Sequence, residues 1–248
     1  MTIRKTTPRK GFTLIELLTV ITIIGILAAI LIPTIGNVID VARRSAASAN
    51  AGSIAKTYVS YSNGGSVPRT MSTPDMASGT AANGVASTIE DVAFILSKFE
   101  QLNDASLWYI RTDENLSGLQ IPRSVITGDP QSATAVAPDF AKVSPKAWAF
   151  VTGISTSAPS SSTPLLWTYG LQHNGTWSTN TPWKGKGGHI AYLDGHVDWA
   201  EKLSTDAGGT CFTVYQTNPS PGNPTVDYLD AINSHATHPA KVVNTDGK

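Results

Sequence analysis

Residues 12–32 of the chain read FTLIELLTVITIIGILAAILI, an apolar run that holds one charged residue, Glu16. As a helix this run would span about 32 Å, because each residue adds about 1.5 Å, and the hydrocarbon core of a bilayer is about 30 Å thick. Residues 1–11 carry four basic residues and no acidic one. Because positive charge stays on the cytoplasmic side, the pattern predicts a single-pass membrane protein whose larger part faces outward.

Three simpler interpretations fit this run less well. A cleaved secretory signal has a shorter apolar region of roughly 7–15 residues. An ordinary anchor would seldom carry Glu16, because a carboxylate at the centre of a bilayer costs on the order of 3 kcal/mol. A core helix of a soluble protein would not need the basic leader. Glu16 is therefore expected to have a function and a charged partner.

Residues 10–17, KGFTLIEL, resemble the N-terminal signal of type IV prepilins and type II secretion pseudopilins. The resemblance implies that a prepilin peptidase cuts after Gly11 and methylates the new N-terminal residue, Phe12. It also implies that Glu16 pairs with the N-terminal amine of a neighbouring pilin-like subunit. Pro33 matches the family's helix-breaking proline. Since proline removes a backbone hydrogen bond, we expect it to kink or locally melt the helix.

An amphipathic helical pattern continues after Pro33 and ends at Gly64-Gly65. Its apolar residues recur every three or four positions, which predicts one face packed on a sheet. These residues are Ile35, Val38, Ile39, Ala42, Ala46, Ala49, Ile54, Tyr58 and Tyr61. The predicted divisions are a cleaved leader (1–11), a transmembrane and polymerisation helix (12–33), its amphipathic continuation (34–63) and a globular head (64–248). The predicted fold class is α+β and pilin-like, a long N-terminal helix on an antiparallel β-sheet.

Shorter patterns predict the elements of the head. Ser87 and Glu90 have the spacing of a capping box before a short helix. Three β-prone runs bounded by turn residues are each predicted as a strand, residues 107–110, 147–151 and 165–169.

The strongest strand signal is residues 189–199, HIAYLDGHVDW, with Asp194-Gly195 as the turn. A two-residue turn would pair Tyr192 with Val197. That register predicts a buried face formed by Ile190, Tyr192, Val197 and Trp199. The segment also resembles the C-terminal His…Asp-Gly element of many prepilin-like proteins, although twenty residues separate His173 from Asp194, more than the family shows.

Two patterns in the sequence are compatible with metal binding. With a two-residue turn, His189, His196 and Asp198 would share the polar face, where they could hold a metal ion. Asp113, Asn115, Ser117 and Gly118 match the first half of a calcium loop, but Ser124 stands at the closing position, where a bidentate glutamate is expected. Calcium is the one cofactor that the sequence suggests.

Composition and missing motifs narrow the function. Lys and Arg total 18, as do Asp and Glu, so no basic excess indicates a nucleic-acid partner. We find no hydrolase, nucleotide-binding or zinc-protease motif, so the sequence predicts no enzyme. The predicted function is a structural subunit of a type II secretion pseudopilus or type IV pilus-like fibre. The chain is predicted to lie in the inner membrane before assembly and in a periplasmic or cell-surface fibre afterwards. Its one cysteine favours the pseudopilus, because type IV pilins commonly close a C-terminal disulfide loop.

An alternative function is a carbohydrate-binding or other ligand-binding protein that uses the prepilin signal for export. Six Trp and seven Tyr support it, because aromatic rings form stacking platforms for ligands. The same rings would serve equally well as a hydrophobic core.

Overall fold

The computed structural model describes residues 11–64, 71, 86–154, 158–206, 209–213, 224–233 and 241–243. The basic residues of the predicted leader, and most of the loop predicted between residues 64 and 86, lie outside these ranges. By its internal contacts the chain divides into two compact units, Met1–Ser45 and Ala46–Lys248. Within the described residues the fold is α+β and pilin-like, as the sequence predicts.

The described part of the chain contains four α-helices and seven strands. The helices are α1 (Leu14–Asn63), α2 (Ile89–Glu100), α3 (Pro138–Lys142) and α4 (Tyr228–Asn233). The strands are β1 (Trp148–Thr152), β2 (Pro164–Thr168), β3 (Gly188–Tyr192), β4 (Val197–Ala200), β5 (Phe212–Thr213), β6 (Pro224–Thr225) and β7 (Lys241–Val243). Two short 3₁₀ helices, Ala105–Trp108 and Glu114–Leu116, lie between α2 and α3.

An antiparallel sheet with strand order β4-β3-β2-β1-β7 forms the centre of the second unit. Every residue of β1, β2 and β3 is buried, so both faces of the sheet are covered. One face contacts α1, where the Tyr58 and Phe150 rings meet edge to face with centroids 5.3 Å apart. On the other face, Trp167 packs against Phe212 of β5 and Tyr228 of α4. The sheet is therefore the middle layer of the unit.

The part of α1 in the second unit buries a stripe that differs slightly from the predicted one. Ile54, Tyr58 and Tyr61 are buried, as the pattern predicts. The predicted Ala46 and Ala49 are exposed, and Ala47 and Ala51 are buried instead. Alanine contributes little to a hydrophobic pattern, so the pattern does not identify which alanines face the sheet.

The predicted hairpin forms, with a register one residue away from the predicted one. Ala191 lies opposite Val197, and Ile190 lies opposite Asp198. The loop holds three residues rather than two, because the Tyr192 N–H donates to the His196 carbonyl at 3.0 Å and the Gly195 N–H donates to the Tyr192 carbonyl at 2.9 Å. Gly195 has φ of +85°, which is the left-handed position that closes a three-residue loop of this kind.

This register changes which side chains share a face. Directly opposed residues of an antiparallel pair project from the same side. Val197 and Trp199 therefore lie with Ala191 and His189, whereas His196 and Asp198 lie with Tyr192 and Ile190. The predicted buried face of Ile190, Tyr192, Val197 and Trp199 is wrong, and so is the predicted grouping of His189 with His196 and Asp198.

Two further local predictions need correction. The capping box of α2 is formed by Thr88 and Asp91 rather than by Ser87 and Glu90, one residue further along the chain. The run predicted as a strand at residues 107–110 lies partly in the 3₁₀ helix Ala105–Trp108, because the Asp104 side chain accepts from the Ser106 N–H and starts a helical turn. Strands β1 and β2 lie where residues 147–151 and 165–169 predict them.

A buried ammonium group joins α2 to the segment before β1. The Lys146 Nζ donates to Glu90 Oε1 at 2.8 Å and to the Val143 carbonyl at 2.7 Å. It also lies 4.7 Å from the centre of the Phe140 ring. Burial lowers the pKa of Lys146, and the hydrogen bond and charge of Glu90 oppose that shift. Removing Glu90 would leave this charge without its anionic partner.

We expect the second unit to lose stability at high pH. Burial raises the pKa of Tyr192 to about 12 and also raises those of Tyr58 and Tyr109, against about 10 in an unfolded chain. Between about pH 10 and 12 the unfolded chain releases protons that the folded chain keeps, so the free energy of unfolding falls. For Tyr192 alone the loss is on the order of 2 kcal/mol.

Urea denaturation of the full chain in detergent, repeated between about pH 9 and 12, measures this loss. The variant Tyr192→Phe should show a weaker dependence in that window. Lys146 acts in the opposite direction below its unfolded pKa of about 10.4, because a lowered pKa makes stability rise with pH. An unfolding free energy that stays constant up to about pH 12 would contradict the prediction.

Candidate anchor and processing site

The predicted processing site lies immediately before the start of α1. Gly11, Phe12 and Thr13 precede the first helical residue, Leu14. All three are exposed, and a Cβ added at Gly11 would meet nothing within 4 Å. The described side of the predicted cleavage site is therefore exposed and precedes the helix.

Thr13 and Glu16 close the first turn of α1 with reciprocal hydrogen bonds. The Glu16 N–H donates to Thr13 Oγ1 at 3.3 Å, and the Thr13 N–H donates to Glu16 Oε2 at 2.9 Å. The Thr13 hydroxyl also donates to Glu16 Oε2 at 2.7 Å. This is a capping box, which satisfies helix N–H groups that have no partner within the helix.

The capping box places the Glu16 carboxylate at the amino end of the helix, four residues after Phe12. Anions are stabilised there by the partial positive charge of the helix terminus. Glu16 remains exposed, so the carboxylate stays accessible to a second positive group. The chain offers this carboxylate beside the amine that cleavage after Gly11 would create.

The next part of α1 is apolar and has no cover among the residues that the structure describes. Among the described residues, one helical segment is long and apolar enough to cross a membrane, Leu14–Ile32, and none of it is buried. Burying one Leu or Ile side chain is worth about 1.5–3 kcal/mol. So much exposed apolar surface needs an apolar environment, either lipid or other helices.

The hydroxyl groups within this segment are satisfied by the helix itself. The Thr19 hydroxyl donates to the Glu16 carbonyl at 3.0 Å, and the Thr22 hydroxyl donates to the Leu18 carbonyl at 2.7 Å. In hydrocarbon every polar group must find a partner inside the protein. These internal hydrogen bonds let the two threonines lie in the predominantly apolar segment.

At Pro33 the backbone remains helical, since α1 runs without interruption from Leu14 to Asn63. The local melting expected at this proline is absent from the described helix. The role of Pro33 in assembly stays a prediction.

The polar residues of the hairpin form two separate groups. On one face, His196 contacts Asp194 through Nδ1, and its ring stacks on Tyr192 with centroids 4.2 Å apart. Asp198 Oδ2 lies 3.8 Å from His196 Nε2. On the opposite face, His189 is buried against the rings of Trp183 and Trp199.

The candidate metal ligands are therefore not brought together as predicted. Among the residues that the structure describes, no group of three His, Cys, Asp or Glu side chains could hold a metal ion. Asp194 and Gly195 lie at the hairpin tip, where a Cβ on Gly195 would approach Lys56 Cγ of α1 to 2.8 Å. Their observed role is to close the turn against α1.

The candidate calcium residues take part in a hydrogen-bond network of the head. Asp113 caps the 3₁₀ helix Glu114–Leu116, and its carboxylate accepts from the Tyr169 hydroxyl at 2.6 Å. Ser124, the expected closing residue, pairs instead with Asp104 in an isolated β-bridge. Calcium binding by this segment stays a prediction.

The N-terminal signal is the part of the chain that matches a known family. Residues 7–32 match the model of the prokaryotic N-terminal methylation motif, the prepilin-type signal of type IV pilins and pseudopilins. No curated protein and no solved structure shows significant similarity to the chain. The match covers Gly11, Phe12 and Glu16, the residues on which the resemblance in the sequence rests.

Sequence reasoning missed the capping function of Thr13. The signal was present, because Thr13 and Glu16 have the T-x-x-E spacing of a capping box just before an apolar helix. Glu16 alone attracted attention because a charge in an apolar run is unusual.

We expect Thr13→Ala to loosen the first turn of α1. Losing an N-cap typically costs about 1 kcal/mol, so amide exchange at Glu16 should accelerate about fivefold in detergent micelles. Hydrogen exchange read by NMR measures the change. Thr13→Ser keeps the hydroxyl and should exchange like the unmodified chain. Equal protection in Thr13→Ala and Thr13→Ser would contradict the capping function.

Proposed function

We propose that the chain is a structural subunit of a type II secretion pseudopilus or a type IV pilus-like fibre. The observation that carries the proposal is a single methylation motif that holds three features. These are the exposed residues Gly11 and Phe12, the carboxylate of the capping box and an apolar helix that the described residues do not cover. The single cysteine supports the pseudopilus as the more suitable of the two.

Processing supplies the first step of this function. A prepilin peptidase cuts after Gly11 on the cytoplasmic side of the inner membrane and methylates the amine of Phe12. The cut removes the basic leader and leaves a positive amine at the new N-terminus. It changes the formal charge from zero to −4, because 14 basic residues then face 18 acidic ones in the mature chain.

Assembly uses the same segment a second time. The apolar surface of Leu14–Ile32 leaves lipid and packs against the corresponding helices of other subunits. Glu16 then lies in a medium of low dielectric, where an unpaired charge is expensive. Pairing with the Phe12 amine of a neighbouring subunit compensates both charges and fixes the axial register between subunits.

The head provides the outer surface of the fibre, in the periplasm or beyond the cell. No step of the proposal needs catalysis by this chain. The alternative is a carbohydrate-binding or other ligand-binding protein that the prepilin signal exports. It would use the same N-terminal anchor, and its principal function would lie in the head.

The first test is intact mass spectrometry of the membrane form after co-expression with a prepilin peptidase. We expect a chain that begins at Phe12 and carries one added methyl group. Gly11→Val should leave the precursor uncut, because a branched side chain obstructs the extended cleft. Gly25→Val, at a position where an added Cβ also meets nothing within 4 Å, should be cut normally. An uncut unmodified chain would refute processing.

The second test replaces the charge of Glu16 and keeps its shape. Glu16→Gln should reduce fibre yield at least tenfold, equivalent to about 1.4 kcal/mol per subunit contact, because the neighbouring amine loses its partner. Asp40→Asn is the matched control, since Asp40 is an exposed carboxylate of the same helix, paired only with Arg43 in the described residues. Electron microscopy of sheared fibres gives the yield. Equal yields from both variants would contradict the register function.

A further inference from the structure

We propose that the head carries a binding site for a neutral saccharide, in a pocket formed by residues 115, 144–145, 169–172, 178 and 180. The site deepens the alternative function given above, and it does not depend on fibre assembly.

The pocket has the size and the lining of a site for a small polar ligand. Its volume is about 880 Å³, within the range of about 300–1,000 Å³ that is usual for ligand sites. None of the residues that line it carries a formal charge. The polar groups come from the side chains of Asn115, Ser144, Gln172, Ser178 and Asn180.

A buried carboxylate behind the wall orients two of the lining residues, Asn115 and Tyr169. Asp113 is 4% exposed, and its Oδ2 accepts from the Tyr169 hydroxyl at 2.6 Å. Its Oδ1 accepts from the backbone N–H of Asn115 at 3.0 Å and from the Asn115 side-chain amide at 2.9 Å. The charge is thus satisfied inside the protein, and the amide and hydroxyl that it holds are fixed in direction.

The Asn115 amide has more acceptors than it can serve. Its Nδ2 lies 2.9 Å from Asp113 Oδ1, 3.0 Å from Tyr169 Oη and 3.2 Å from Asn180 Oδ1. An amide NH₂ has two hydrogens, so one of the three oxygens has spare capacity. Asn180 lies at the surface, and its carbonyl oxygen has two lone pairs, so it can accept from a ligand while it stays in contact with Asn115.

Contacts between distant segments hold the pocket open in one shape. The Asn115–Asn180 contact joins two walls, and Lys184 forms an ion pair with Glu114 at 2.5 Å beside it. Gly170 has φ of +91°, and a Cβ there would meet Thr181 Cγ2 at 2.3 Å. The backbone of one wall therefore packs directly on the next, and a preformed site gives up less entropy on binding.

The chemistry of the lining selects the class of ligand. Each amide or hydroxyl side chain presents donors and acceptors together, which is what the hydroxyls of a sugar require. An ionised ligand would lose its hydration without gaining an opposite charge from the walls. A peptide that adds a strand needs a free sheet edge, whereas loops form most of this pocket. A neutral saccharide satisfies all these conditions.

The test uses the full chain in a zwitterionic detergent, because maltoside detergents carry a sugar that would compete. An array of neutral and acidic oligosaccharides is screened, and cellotriose, maltotriose, chitotriose and trigalacturonate are then titrated by calorimetry. We expect binding of at least one neutral compound and none of trigalacturonate. Asn180→Ala and Asn115→Ala should each weaken that binding about tenfold or more.

Gln131→Ala is the matched control, because Gln131 is an exposed amide outside the pocket. Gln172→Glu offers a second variant at an exposed position of the pocket. A carboxylate accepts hydrogen bonds but cannot donate them, so the loss of the amide donor should reduce binding of neutral sugar without disturbing the core. Circular dichroism confirms that each variant is folded.

Three results would overturn the proposal. These are an array without a neutral ligand, trigalacturonate bound as tightly as the neutral sugars, and pocket variants that bind as Gln131→Ala does. The N-terminal mass of the same sample reports processing separately, so a failure of the anchor function and a failure of sugar binding are distinguishable.

Discussion

The uncovered apolar surface of Leu14–Ile32 is the constraint on which the rest of the molecule depends. None of the described residues buries it, so the segment requires lipid or partner helices. The same helix, from Ala46 onward, is part of the core of the second unit. One continuous helix thus meets two different environments, and its composition follows them. Large aliphatic side chains fill the first part, whereas alanines and tyrosines allow close packing on the sheet in the second.

Elements with a strong local pattern were predictable from the sequence. The apolar run, the prepilin-type signal, α2 and strands β1 and β2 all belong to this group. The hairpin shows the limit, because Asp194-Gly195 suits both a two-residue turn and a three-residue loop. The close approach of Gly195 and Val197 to α1 accompanies the observed register, and no local pattern reports such a contact. The strand predicted at residues 107–110 is wrong for another reason. The Asp104 side chain accepts a hydrogen bond from the Ser106 backbone N–H and starts a 3₁₀ turn there.

The N-terminal anchor and the polar pocket also differ in how far the local sequence predicts them. The anchor is contained within some twenty consecutive residues, so its spacing is visible in the sequence, and the missed capping function of Thr13 is also local. The polar pocket joins Asn115 to Asn180, 65 residues apart, and its groups are ordinary amides and hydroxyls. Only the fold shows that the buried Asp113 orients two of them, the Asn115 amide and the Tyr169 hydroxyl. The metal grouping of His189, His196 and Asp198 was wrong because it relied on strand register, the least secure part of the prediction.

The contact between α1 and the sheet has a mechanical consequence. The buried side chains of this contact are spread from Ala47 to Tyr61, a distance of about 21 Å along the helix axis. A pull along the axis loads all of them at once, in shear, rather than peeling them apart one after another. Gly52, which would place a Cβ 3.4 Å from Val197, lets the hairpin interlock with the helix within that stretch. Tension on the part of α1 that belongs to the second unit therefore reaches the central strands through many side chains together.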